Sequence, residues 1–158
     1  TLPLKLCEER PCRGEKKYAG AREPKIKYDF SGRRVLLAED HLLNVEVARR
    51  LLTSVGLEVE VAENGLAAIE AFVANPDHYY DLILMDIRMP LMDGLTAARS
   101  IRHTEKADAR SIPIVAMSAN AFDEDVEKSK SAGMNEHLAK PIDPKLLCDT
   151  LARYLKMP

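Results

Sequence analysis

Five polar residues stand directly after segments with strand-like patterns, and their types suit phosphoryl chemistry. They are three carboxylic acids, a hydroxyl and an amine: Glu39, Asp40, Asp86, Ser118 and Lys140. Carboxylates that share a cleft repel one another unless a cation neutralises them. Oxygen donors without His or Cys favour Mg²⁺ over zinc, and bound Mg²⁺ commonly takes phosphate oxygens as further ligands. A carboxylate could then form an aspartyl-phosphate, with Lys140 and the Ser118 hydroxyl holding the transferred oxygens.

An alternation of strand-like and helix-like segments positions these residues. Strands are predicted at 35–38, 58–61, 82–85, 112–117 and 136–139. Helical spacing predicts five helices. The first carries Val47, Ala48, Leu51, Leu52 and Val55, the second Ala68, Ile69 and Phe72, and the last Leu147, Leu151 and Leu155. The third and fourth helices are predicted at 95–101 and 123–131. This (βα)₅ pattern predicts an α/β doubly wound parallel sheet of flavodoxin-like order 2-1-3-4-5. In such a sheet the functional groups gather beyond the carboxyl ends of the strands.

Several residues predict where the helices begin and end. Gly56 and Gly133 are expected to close the first and fourth helices. Asn64 followed by glycine predicts a turn into the second helix. Asp143, followed by a proline at the first helical position, is expected to cap the last helix.

Composition limits the classes of function. The chain has 158 residues, of which 46% are hydrophobic and 30% charged, as in one ordinary globular domain. The net charge of −2 provides no basic field for nucleic acid. No apolar run approaches the ~20 residues that a membrane-spanning helix needs. We therefore expect a cytoplasmic fragment that contacts neither nucleic acid nor membrane.

The first part of the chain differs from the remainder. Prolines, glycines and charges interrupt any hydrophobic periodicity there, so we predict a linker over residues 1–31 and one folded domain over 32–158. The three cysteines, Cys7, Cys12 and Cys148, show no disulfide framework or metal-ligand spacing, and we expect free thiols. Cys148 lies on an apolar helix stripe and is expected in the core.

Four motifs, in this order, closely resemble those of the response-regulator receiver family. They are VLLAED at 35–40, LMDIRMPLMDG at 84–94, VAMSA at 115–119 and KP at 140–141. The resemblance covers about residues 32–156. Four separated motifs are far more specific than a single short one.

The resemblance implies a role for each site residue. Asp86 would be the phosphoacceptor, Asp40 the main Mg²⁺ ligand, and Glu39 an assisting ligand, often through water. Ser118 would be the switch hydroxyl that moves to meet the phosphoryl group, with Lys140 as the charge partner of that group. Catalysis would be limited to the phosphorylation of this aspartate and its dephosphorylation.

Other family positions concern the metal, the switch and the lifetime of the phosphoryl group. The backbone carbonyl of Arg88 would be a further metal ligand. Side chains at Arg88 and Asn120 influence attack of water on the aspartyl-phosphate in this family, and Arg88 could shield it, so we expect slow or moderate self-dephosphorylation. The switch aromatic is often Tyr or Phe, and His137 stands there. His41 replaces a common Asn or Asp, and we expect no chemical role for it.

The amino-terminal residues also bear a resemblance. TLPL at 1–4 resembles the last strand of a histidine-kinase ATP-binding domain, and a linker followed by a receiver is the layout of a hybrid sensor kinase. The expected partners are a histidine kinase core, in the same chain or another, and a histidine phosphotransfer protein. A weak homodimer is a further candidate. The parent chain would be a histidine kinase, which could be anchored in a membrane.

Two other functions compete with this interpretation. The receiver could dock on its kinase and inhibit it without being phosphorylated. An aspartate-nucleophile phosphatase would also use such a site, but it needs a second aspartate two residues after the nucleophile. Arg88 stands at that position, so the sequence disfavours a phosphatase.

Overall fold

The structure, a computed structural model, describes residues 29–119 and 123–155, without the side chains of residues 123–125. It contains the strands β1 (Arg34–Ala38), β2 (Glu58–Ala62), β3 (Leu82–Asp86), β4 (Ile114–Ser118) and β5 (Glu136–Ala139). They form a parallel sheet of order β2-β1-β3-β4-β5. The fold class and strand order predicted from the sequence are therefore confirmed. The residues of the predicted linker up to 28, with Cys7 and Cys12, lie outside the described part, as does Asn120.

Five helices alternate with the strands. They are α1 (Leu42–Ser54), α2 (Gly65–Ala74), α3 (Gly94–Arg102), α4 (Asp123–Ser131) and α5 (Pro144–Leu155). Asn64 and Asp93 cap α2 and α3, because their side chains accept hydrogen bonds from backbone N–H groups in the first turn, at 2.7 and 2.8 Å. Asp143 accepts from the N–H of Lys145 at 3.0 Å, as expected for the cap of α5. None of the helices in the described residues is long and apolar enough to cross a membrane.

The sheet separates two hydrophobic clusters. One cluster lies between the sheet and helices α2 and α3, and contains Phe72, Ile83, Met85 and Ile101. The other lies under α1 and α5, and contains Leu37, Leu52, Leu84 and Leu151. Strands β3 and β4 are buried along their whole length, which is why their sequences are continuous apolar runs. This double burial holds the carboxyl ends of the central strands in fixed positions.

Two details of the core differ from the sequence pattern. Val47 is one of the apolar residues whose spacing predicts the first helix, but it is 46% exposed, and α1 buries Val45, Ala48 and Leu52. The buried stripe is thus displaced by two residues at the start of the helix. Phe30 lies within the predicted linker, yet it is 1% exposed and packs in the cluster under α1 and α5. The packed domain therefore begins before residue 32.

The structure also refines one strand boundary and the burial of Cys148. The fourth strand begins at Ile114 and not at residue 112, because Pro113 has no N–H for the ladder; its carbonyl accepts from the N–H of Ile83 at 2.9 Å. Cys148 is half-buried against the cluster under α1 and α5, and burial raises the pKa of its thiol.

Gly94 allows α3 to start directly against the end of β3. A Cβ at this position would meet the backbone carbonyl oxygen of Asp86 and, at 2.9 Å, the Cγ of Met85. The N–H of Gly94 also donates to the carbonyl of Ile87 at 2.8 Å, which closes the loop between β3 and α3. The close approach, more than backbone conformation, requires glycine here.

We expect Gly94→Ala to lower the free energy of unfolding by about 1–3 kcal/mol, because the added methyl group has no space beside the end of β3. Urea denaturation followed by circular dichroism measures this change. Thr96→Ala, an exposed substitution on the same helix, should change the stability by less than about 0.5 kcal/mol. Equal stabilities of the two variants would contradict the steric explanation.

Candidate phosphoryl-transfer site

The register of the parallel strands brings the five predicted site residues to one edge of the sheet. Ala38 of β1 pairs with Met85 of β3, so the residues that follow them, Glu39 and Asp86, stand side by side. Ser118 of β4 pairs with Ala139 of β5, and Lys140 follows directly. The strand register therefore brings these groups to one edge of the sheet, as the sequence predicted.

Three carboxylates form a compact cluster at this edge. One oxygen from each of Glu39, Asp40 and Asp86 can be chosen so that all three lie within 4.8 Å of one another. Glu39 and Asp86 are only 2% and 4% exposed, whereas Asp40 is exposed. The site is thus a buried acidic pair with a third carboxylate at its mouth.

Lys140 neutralises part of this negative charge. Its Nζ lies 2.8 Å from Oε1 of Glu39 and 3.2 Å from Oδ2 of Asp86. Burial disfavours the ammonium ion, but the hydrogen bond to Glu39 and the charge of Asp86 outweigh burial, and the pKa of Lys140 is raised above its usual value. The amine therefore remains charged at neutral pH.

Asp86 is the carboxylate whose ionisation is most strongly perturbed. Burial, followed by repulsion from Glu39, raises its pKa to about 6, although the charge of Lys140 and hydrogen bonds from Lys140 and the Arg88 backbone oppose the shift. One ammonium ion cannot compensate two buried carboxylates. A further cation at this position would be favoured for the same reason.

The other Glu39 oxygen is fixed by neighbouring donors. Oε2 accepts from the backbone N–H of His41 at 3.2 Å and from the amide of Asn44 at 3.2 Å. Within the described residues the Asp40 carboxylate takes part in no hydrogen bond or ion pair, so its oxygens are available to a ligand. This contrast agrees with the expectation that Asp40 is the main metal ligand and Glu39 an assisting one, which stays a prediction.

The donor set fits Mg²⁺. It consists of carboxylate oxygens without histidine or cysteine, and hard oxygen donors suit Mg²⁺ better than zinc. Arg88 lies in the loop directly after Asp86, and its backbone N–H donates to the Asp86 carboxylate. The predicted use of the Arg88 carbonyl as a ligand stays a prediction.

The predicted switch residues are hydrogen-bonded to each other. Oγ of Ser118 lies 3.0 Å from Nε2 of His137, and Nδ1 of the same ring lies 3.1 Å from Oγ of Ser129. Both serines are buried and the imidazole is half-buried. The sequence analysis did not identify Ser129, since a serine in a charged helix carries no signal of such a contact; nor did it identify Asn44, which orients Glu39.

Comparison with known proteins agrees with this fold. The chain belongs to the response regulator receiver domain family, whose model matches residues 35–152. Receiver domains of solved structure have the same fold. The receiver domain of the sensor histidine kinase PA1611 from Pseudomonas aeruginosa PAO1, crystallised with a magnesium ion in its active-site cleft, is 38% identical. It has a TM-score of 0.71 and covers 79% of this chain and 98% of that domain. Vibrio cholerae CheY4 is 26% identical, with a TM-score of 0.70 over 77% of this chain and 98% of that protein.

The curated relatives are histidine kinases, of which this chain spans a small part. The peroxide stress-activated histidine kinase mak1 of Schizosaccharomyces pombe is 43% identical over 120 residues, which are 74% of this chain and 7% of that protein. Hybrid signal transduction histidine kinase I of Dictyostelium discoideum is 38% identical over 75% of this chain and 7% of that protein. Probable histidine kinase 1 of Oryza sativa subsp. indica is 32% identical over 94% of this chain and 18% of that protein.

Removing the acceptor carboxylate should stabilise the metal-free domain at neutral pH. Because the folded-state pKa of Asp86 is about 6 against an ordinary value of 3.8, ionised Asp86 opposes folding above pH 6, and this penalty disappears as the pH falls towards 4. We expect Asp86→Asn to raise the free energy of unfolding by about 1–2 kcal/mol at pH 7.5, after allowance for solvent screening.

Urea denaturation in EDTA at pH 7.5 and pH 4.5 measures this difference. The stabilisation should shrink at the lower pH, and Glu105→Gln, which removes one exposed carboxylate, is the control. A stabilisation that grows towards acid, or a destabilised variant at pH 7.5, would contradict the pKa shift.

Proposed function

We propose that this receiver accepts a phosphoryl group from a phosphohistidine onto Asp86, and that the transfer requires Mg²⁺. The observation that carries the proposal is the position of the Asp86 carboxylate, buried beside Glu39 and in contact with the Lys140 ammonium. Burial beside Glu39 disfavours the negative charge of Asp86. The Lys140 ammonium can attract the oxygens of an incoming phosphoryl group.

In the proposed step a carboxylate oxygen of Asp86 attacks the phosphorus atom. A P–O bond forms, the P–N bond to the donor imidazole breaks, and its electron pair remains on that nitrogen. The donor ring leaves neutral when its other nitrogen carries a proton. Lys140, 3.2 Å from Oδ2 of Asp86, attracts the oxygens of the transferred group.

The acidic cluster would hold the metal ion for this reaction. Asp40 and Asp86 would be direct ligands, with Glu39 assisting and the Arg88 carbonyl as a further ligand. When bound, Mg²⁺ neutralises carboxylate and phosphoryl oxygens, so that the like charges can approach. The magnesium ion described for the Pseudomonas aeruginosa receiver supports this assignment by similarity.

The phosphorylated receiver would signal through Ser118 and His137. The new group adds about −1.5 to −2 charges at neutral pH, which would draw the Ser118 hydroxyl towards it. Because Ser118 is hydrogen-bonded to His137, a movement of the hydroxyl changes the contacts of β5 and α4. The result is a shift between two arrangements of this face of the domain.

The acceptor and metal requirement can be tested together. The protein is incubated with acetyl phosphate and Mg²⁺ and its intact mass is measured, beside Asp86→Asn and a sample in EDTA. We expect one added phosphoryl mass in the wild-type protein with Mg²⁺ and none in the controls. If no sample gains mass and beryllofluoride does not bind, the docking function without phosphorylation is favoured instead.

The surroundings of the site suit a protein phosphodonor. Large apolar side chains are exposed at the edge where Asp86 lies: Leu42 and Leu43 in the first turn of α1, Leu66 in the first turn of α2, and Leu91 in the loop after β3. A phosphohistidine can reach Asp86 only if its protein covers this edge. The leucines would then be buried against the donor, which we propose to be a histidine kinase core or a histidine phosphotransfer protein.

Among these leucines, Leu91 is the strongest candidate for a contact with the donor, because packing within the domain does not explain its exposure. It is 82% exposed, and it has a φ of 66°, a region that leucine rarely adopts. It is the middle residue of a tight turn in which the N–H of Met92 donates to the carbonyl of Pro90 at 2.6 Å. An exposed leucine in a strained turn next to the acceptor is better explained by a partner than by stability.

Leu91→Asn should slow transfer from a kinase but not from a small donor. Asparagine tolerates positive φ, so the turn is kept while the apolar contact is lost. We expect the second-order rate of transfer from a histidine kinase core that phosphorylates the wild-type protein to fall about tenfold, which is the loss expected for one buried leucine. The rate with acetyl phosphate should stay within about twofold of the wild-type rate.

Val73→Asn is the matched control, since Val73 is 47% exposed but lies at the far end of α2. It should leave both rates unchanged. An equal loss with both donors would place Leu91 in the chemistry of the site, and no loss with either would remove it from the docking surface.

The wider context completes the proposal. The residues before Phe30 would be a linker that joins this domain to a kinase core, in a hybrid histidine kinase of the kind found among the relatives. The compartment would be the cytoplasm, where the kinase core has access to ATP. A parent gene without a kinase core upstream of residue 1 would contradict this arrangement.

A further inference from the structure

A hydrogen-bonded chain joins helix α4 to the end of β4 through the His137 ring. Ser129 lies on α4 and contacts Nδ1, and Ser118 contacts Nε2 on the opposite side of the ring, at 3.1 and 3.0 Å. Ser129 is 2% exposed, so its hydroxyl is held inside the domain and not in solvent. Both ring nitrogens are therefore in contact with buried hydroxyls.

The strand register explains why the ring reaches Ser118. His137 pairs with Ala116, and Ser118 is two residues further along β4, so both side chains lie on the face of the sheet that α4 covers. On the other side of the ring, Ser129 is close because α4 packs directly on β5. The sheet thus sets where the ring can lie, and Ser129 sets how it is turned.

We propose that Ser129 is a positioning residue of the switch: it orients the His137 ring so that Nε2 holds the Ser118 hydroxyl in the unphosphorylated protein. This inference rests on the proposed function. The two ring nitrogens point in fixed directions in the ring plane, so a hydrogen bond at Nδ1 also fixes the direction in which Nε2 points. Ser129 therefore favours one ring orientation, and through it the geometry of the bond to Ser118.

The consequence is that Ser129 sets the cost of switching. When Ser118 turns to the phosphoryl group on Asp86, its bond to Nε2 is given up, and a well-oriented ring makes that bond harder to break. The ring also borders an open pocket of about 330 Å³, lined in part by Val126 and Met134. A ring that is no longer held by Ser129 has space there to turn away.

Ser129→Ala should therefore make the activated state easier to reach. Beryllofluoride with Mg²⁺ imitates the phosphoryl group, and we expect the variant to bind it about 3- to 10-fold more tightly than the wild-type protein, as loss of one ordinary hydrogen bond predicts. In the His137→Phe background the same substitution should change the affinity by less than about twofold. Ser131→Ala, an exposed serine on the same helix, is the control.

A second measurement does not depend on phosphorylation. Nuclear Overhauser effects between the His137 ring protons and the Ser118 β-protons report how the ring is turned. We expect them in the wild-type protein and in Ser131→Ala, and weaker ones in Ser129→Ala. Ser129→Thr keeps the hydroxyl and should restore the wild-type spectrum.

The outcomes separate this inference from the proposed function. Weaker or unchanged beryllofluoride binding by Ser129→Ala, or an equal effect in the His137→Phe background, would overturn the positioning role. If the wild-type protein itself binds no beryllofluoride, the proposed function fails. The imidazole spectra alone then decide the role of Ser129, and an unchanged ring orientation in Ser129→Ala would refute it.

Discussion

The contact of the Lys140 ammonium with two buried carboxylates is the constraint on which the site depends. Strand β5 lies two strand spacings of about 4.8 Å from β3, and three from β1. The lysine side chain therefore has to cross the end of β4 to reach Asp86 and Glu39. Small residues at that end, Ser118 and Ala119, leave this path open. One side chain thus links the ends of β1, β3 and β5.

This contact does not balance the charges, and the imbalance is what makes the site responsive. A buried ion pair needs good geometry and further hydrogen bonds to offset the loss of hydration. Glu39 has them, from His41 and Asn44 as well as Lys140. Asp86 has fewer, and burial, followed by repulsion from Glu39, raises its pKa to about 6. Of the two buried carboxylates, Asp86 has fewer compensating contacts. A bound metal ion or a phosphoryl group would therefore stabilise Asp86 more than Glu39.

The sequence was sufficient for the fold and the acidic site because both depend on local patterns. Apolar runs that end in polar residues give the strands and place Glu39, Asp86 and Lys140 at one edge. It was insufficient where contacts depend on side-chain packing. Val47 lies about 200° around α1 from the buried Val45, so which of the two valines is buried depends on how the helix packs on the sheet. The hydrogen-bonded chain from Ser118 to Ser129 depends on how α4 packs on β5 and has no periodic signature.

The edge of the sheet that carries the site reverses the usual distribution of polar and apolar groups. Carboxylates and serines are buried there, while Leu42 and Leu91 are more than 80% exposed. Buried carboxylates and exposed leucines both lower the stability of the fold. The two hydrophobic clusters on the faces of the sheet offset this loss. A rigid sheet with an unfavourable edge suits a domain that is covered by the proposed phosphodonor. Local inconsistency of this kind is expected at functional or strained sites.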